Sequence, residues 1–163
     1  MFDAQKAKKE ILIIIKKMKR YNTFGGNCGM FALALGRYVR EKYKDSPVFL
    51  LASGLEGDER GDLPKESYKD LYTGDYDLYH VMYAFQDPIT SEGYYFDGNG
   101  VYTNSNVTKY INDFCKEYYD NPYPSFAYLD YNNKTKTIIR QNTNWSISDD
   151  EFYDKILSIV NKE

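Results

Sequence analysis

Cys28 sits in the run GGNCGMFALAL, where two glycines and an asparagine give way to an apolar stretch. A cysteine in the first turn of a helix has its thiolate favoured, because free backbone amides and aligned peptide dipoles stabilise negative charge there. The neighbouring glycines permit a tight turn and leave room for a substrate carbonyl, while the Cys28 amide itself can face a developing oxyanion. A thiol nucleophile also needs a base. The chain has a single histidine, His80, at the head of the apolar run His80-Val81-Met82-Tyr83-Ala84-Phe85, and Asp97 closes the run Tyr94-Tyr95-Phe96-Asp97. Paired as a hairpin, these runs bring the two side chains together. The imidazole would then take the thiol proton, and the carboxylate would hold the ring in one tautomer and stabilise its charged form. Cys28, His80 and Asp97 are therefore the expected catalytic residues, and Cys115, set among bulky residues, is expected to be buried and inert.

The elements that must position these residues can be read along the chain. Ala4, Ala7, Ile11, Ile14 or Ile15, and Met18 recur at helical spacing, predicting an amphipathic helix from Asp3 to Arg20 with a solvated lysine face. A core-facing helix is predicted from Cys28 to about Tyr43, and Pro47 to Ala52 suits a buried strand. The glycine-rich and acidic segment from Ser53 to Asp77 reads as a surface excursion beside the cleft, with one short helix near Lys65 to Leu71. Leu78 to Phe85 and Tyr94 to Asp97 are predicted to pair as antiparallel strands. After the turn Gly98-Asn99-Gly100, a helix capped by Ser105 or Asn106 should run to about Tyr119. Phe126 to Tyr131 and Thr135 to Gln141 read as a hairpin, and Ser148-Asp149-Asp150-Glu151 as a capping box that opens a final helix.

Composition narrows the possible functions. With 163 residues, 42% of them hydrophobic, and with 18 Tyr and 9 Phe, the chain is expected to fold as one globular domain over residues 1–163. The net charge of −3 and the lack of a basic block interleaved with aromatics argue against a nucleic-acid partner. Two cysteines and one histidine cannot supply an all-Cys/His tetrahedral metal site or a disulfide framework, so neither metal nor cofactor is expected. Free thiols point to a reducing cytoplasm. The apolar run Ile11 to Ile15 lies between charged residues and is far too short to be a membrane span, so no membrane partner is expected.

The segments GGNCGMFALAL, YHVMYAF and GYYFDGNG together resemble the papain-like superfamily of thiol enzymes, with closest likeness to its transglutaminase-like and arylamine N-acetyltransferase-like branches. The resemblance covers about half the chain. It implies an α+β, papain-like fold in which a helix carrying Cys28 packs on a small antiparallel sheet carrying His80 and Asp97. In the papain branch a glutamine six residues before the cysteine donates to the oxyanion; Asn22 occupies that position here, and Asn27 is a nearer amide. The implied activity is thiol-dependent acyl hydrolysis or acyl transfer on a peptide or protein amide, as in a cysteine peptidase, an amidase, a transglutaminase or a deamidase. A non-catalytic protein-binding module or inhibitor on the same fold is the alternative.

Overall fold

The computed structural model describes residues 1–19, 26–45, 47–72 and 78–162. Within them β1 (Val48–Ser53), β2 (Leu78–Gln86), β3 (Gly93–Asp97), β4 (Gly100–Thr103) and β5 (Ser125–Asp130) form one antiparallel sheet in the order β4-β3-β2-β1-β5. The helices are α1 (Ala4–Met18), α2 (Cys28–Tyr43), a 3-10 helix (Lys65–Tyr72), α3 (Val107–Tyr119), α4 (Asn133–Asn142) and α5 (Asp149–Asn161). The fold is α+β.

The continuous apolar character of β2 follows from burial on both faces. One face of the sheet, through Phe49, Leu51, Val81, Tyr83 and Phe96, joins the main core with the apolar stripes of α1, α2, α4 and α5. On the other face, Leu50, Ala52, Met82 and Phe126 lie under Val107, Ile111 and Cys115 of α3. Strand side chains alternate between faces, so residues two apart share one. Tyr83 pairs with Phe96 across β2 and β3. Continued by one step, that register sets Asp97 opposite Met82 and on the same face as His80.

Three expectations need correction. Thr135 to Gln141 is not the second strand of a hairpin but part of α4. Asn132 caps that helix by accepting a hydrogen bond from the Thr135 amide at 2.9 Å, and Thr135, Ile138, Ile139 and Asn142 are its buried residues. The alternation Thr135, Thr137, Ile139 resembled a strand, but capping and the i, i+3, i+4 spacing won. The turn after Asp97 leads into a further short strand, β4, paired with β3, and α3 follows it. The excursion after β1 lies against the β5 edge: Phe126 donates its amide to the Gly61 carbonyl at 2.8 Å, and the Leu63 amide donates to the Phe126 carbonyl at 2.7 Å. This pairing covers backbone groups that an outermost strand would otherwise expose. Its buried Leu63 and Leu71 join the main core, so the segment is a packed flap.

Gly29 has a different duty from the one expected. A Cβ there would lie 2.7 Å from Ile139 Cγ2 and 3.3 Å from Thr143 Cγ2, so the missing side chain lets α2 pack closely on α4. Gly29→Ala should therefore destabilise the fold by about 1–3 kcal/mol through overpacking, although alanine is the better helix former by about 1 kcal/mol. Urea denaturation checks this: an unchanged or raised midpoint would show that the contact is slack.

Candidate active site

Gly26 adopts a φ of 75°, the left-handed region that favours glycine, and turns the chain into α2. Asn27 is the residue before the helix, but its side chain does not cap it. Its Oδ1 accepts from the amides of Ser146 at 2.8 Å and Ile147 at 3.2 Å, and its Nδ2 donates to Ser146 Oγ at 3.2 Å. Asn27 thus fastens the start of α2 to the loop between α4 and α5. That side chain is already committed, which removes the reason to give it the oxyanion role read from the sequence; Asn22 lies outside the described residues. The first helical hydrogen bond runs from the Phe31 amide to the Asn27 carbonyl at 3.0 Å, so the Cys28 amide has no partner within the helix.

Cys28 is half-buried at this helix start. Across from it, His80 is only 4% exposed, and its Nε2 lies 2.7 Å from Asp97 Oδ2. An ionised carboxylate only accepts, so Nε2 carries the proton. The other nitrogen, Nδ1, is buried without a hydrogen-bond partner of ordinary length, and the Cys28 thiol is close enough to interact with the ring. Among the described residues, the three side chains read from the sequence as catalytic therefore come together, His80 interacting with each of the other two.

Their electrostatics reinforce one another. Burial alone would raise the Cys28 thiol, but the nearby His80 and its charge, together with the Val81 amide, outweigh it and hold the thiol below its usual value. Burial also disfavours the imidazolium, yet Asp97 and then Cys28 push His80 up to about 9. Opposite shifts in two neighbouring groups favour the charged forms of both, the thiolate and the imidazolium. Among the described residues Cys115 has no such neighbour; it is fully buried, and burial pushes its thiol up to about 12.

Helix α3 supplies residues that the sequence reading did not single out. The Tyr110 hydroxyl donates to Asp97 Oδ2 at 2.5 Å, and the Phe114 ring lies against His80 with centroids 4.3 Å apart. The Asn99 backbone amide donates to Asp97 Oδ1 at 2.8 Å. The only sequence signal for Tyr110 and Phe114 was their i, i+4 spacing, which does not distinguish a core stripe from a site wall.

Cys28, His80 and Asp97 line a cavity of about 590 Å³, walled also by Asn99, Phe114 and Asn142. The described part of the flap after β1 does not line it, so the place beside the cleft expected for this segment is not seen for residues 54–72; residues 73–77 lie outside the described residues. No group of three or more metal-ligating side chains occurs among the described residues. The arrangement holds a thiol, an imidazole, a carboxylate bound to that imidazole and a helix amide with no partner within α2, the groups that attack on a carbonyl requires. No family model, curated protein or solved structure matches this chain.

The opposed environments of the two thiols predict selective alkylation. At mildly acidic pH, iodoacetamide should modify Cys28 at least about tenfold faster than Cys115 in the folded protein, followed by peptide mapping. Equal rates, or faster modification of Cys115, would show that Cys28 is not activated.

Proposed function

We propose that the protein is a thiol-dependent acyl hydrolase or acyl transferase acting on a peptide or protein amide. The observation that carries this reading is the placement of His80, with Nε2 bound to Asp97, Nδ1 unpartnered and the Cys28 thiol close enough to interact with the ring. That leaves one imidazole nitrogen for proton exchange and ties the other to an anion. A helix bearing Cys28, with His80 and Asp97 on adjacent strands of an antiparallel sheet, also suits a papain-like arrangement.

In the proposed reaction the Cys28 sulfur attacks the amide carbon, and the carbonyl oxygen becomes an oxyanion facing the Cys28 amide. The His80 imidazolium gives its proton to the departing nitrogen as the C–N bond breaks, leaving a thioester on Cys28. Neutral Nδ1 then removes a proton from water, which attacks the thioester; the acid is released and Cys28 is restored. An amine in place of water gives acyl transfer. Asp97 keeps its own charge throughout and stabilises the imidazolium. Two unlinked cysteines suit a reducing compartment such as the cytoplasm.

Substitution separates this chemistry from a binding role. With a casein-derived peptide pool and a glutamine-donor amine assay, Cys28→Ala and His80→Ala should abolish turnover while far-UV circular dichroism stays native. Asp97→Asn should lower turnover by about 10²–10⁴-fold, because an amide can accept from Nε2 but cannot stabilise the imidazolium. Retention of the biological effect by Cys28→Ala would instead favour the binding module.

A further inference from the structure

We propose that Tyr110 is a positioning residue of this site, sharing Asp97 Oδ2 with His80, and that Asn99 sets the direction of the Tyr110 hydroxyl proton. The inference rests on the reading of His80 as the proton carrier and adds how its strength is set.

Asp97 receives three donors. His80 Nε2 at 2.7 Å and the Tyr110 hydroxyl at 2.5 Å meet on Oδ2, while the Asn99 backbone amide occupies Oδ1 at 2.8 Å. The two on Oδ2 compete for the charge of one oxygen. The Tyr110 oxygen in turn accepts from Asn99 Nδ2 at 2.9 Å. A phenol has one proton, and with an amide donating to its oxygen that proton must point at the carboxylate. Stacking of Tyr102 on Tyr110, with centroids 3.8 Å apart and planes 14° from parallel, keeps the ring in place. Burial and the Asp97 charge hold the Tyr110 phenol well above its usual value, so the hydroxyl remains a donor across the working pH range.

The consequence concerns His80. A carboxylate serving His80 alone would hold the imidazolium very tightly and leave it a poor acid toward a departing amine. A second strong donor on the same oxygen draws off part of that charge and returns acidity to the ring. Because the Asn99 backbone amide keeps hold of Oδ1, the carboxylate stays in place when the phenol donor is lost. Among the described residues, the titratable groups around the imidazole are Cys28 from α2, Asp97 from β3, Tyr102 from β4 and Tyr110 from α3, and Tyr79, Tyr118 and Tyr119 line the same cavity.

The single histidine makes a direct test possible, since ¹⁵N-histidine labelling yields the ring nitrogens of His80 alone. In Tyr110→Phe, the His80 titration midpoint should rise by about half a pH unit, with Nε2 still the protonated nitrogen in the neutral form. Asn99→Ala, a change at an exposed turn residue, should shift it in the same direction by less, and it decides the matter if Tyr110→Phe does not fold. Midpoints that are unmoved or lowered in the folded variants would overturn the proposal and leave Tyr110 with packing alone. The measurement needs no substrate. A moving midpoint in a protein whose Cys28 resists iodoacetamide would therefore sink the enzyme reading and leave this inference standing.

Discussion

The hydrogen bond between His80 and Asp97 is the constraint around which the surrounding structure is organised. Both side chains are almost completely shielded from water, at 4% and 1% exposure. Removing a carboxylate and an imidazolium from water costs several kcal/mol each unless their hydrogen-bonding capacity is filled. The fold meets that demand from several elements at once: β2 brings the ring, the turn after β3 brings a backbone amide, and α3 brings a phenol. Each charge-assisted hydrogen bond of this kind contributes about 1.5–3 kcal/mol. Short β4 fits the same requirement, because it returns the chain from Asp97 toward the start of α3 and so sets Tyr110 over the carboxylate.

The environment of Cys28 shows how the pair reaches the thiol. The case made from sequence rested on the helix N-terminus, yet burial around the sulfur opposes the charge that the helix favours. What reverses the balance is His80, held in its charged form by Asp97. The lowering of the thiol is thus owed to the buried pair, and α2 must be fixed firmly enough to hold Cys28 beside it. Asn27 supplies one fastening through the loop before α5, and Gly29 supplies another by letting α4 approach closely.

The aromatic residues divide between two duties. Tyr83, Phe85 and Phe96 pack ring against ring within the main core. Tyr102, Tyr110 and Phe114 form a second group around the buried pair, where they exclude water and, through Tyr110, also donate a hydrogen bond. A phenol suits this position because it offers a large apolar face and one polar tip. Aliphatic residues of similar volume would fill the space but leave Asp97 with one donor fewer.

Local patterns in the chain were enough to determine the elements that carry Cys28, His80 and Asp97. The apolar periodicity after Cys28 marked α2, the runs ending at Phe85 and Asp97 marked the central hairpin, and Ser148 with Glu151 marked the start of α5; all depend on neighbours within a few residues. Where two local patterns competed, as from Thr135 to Gln141, alternation misled, because a capped helix with buried Ile138 and Ile139 contains the same letters as a strand. The tertiary structure alone decided that Tyr110 faces Asp97, that Asn27 is spent on Ser146 and Ile147, that Gly29 serves helix packing and that the flap after β1 rests on β5. These are contacts between residues far apart in the chain, and no periodicity encodes them. Sequence spacing reports which face a side chain occupies; which atom it meets across that face depends on how the sheet register and the packed helices bring distant segments together.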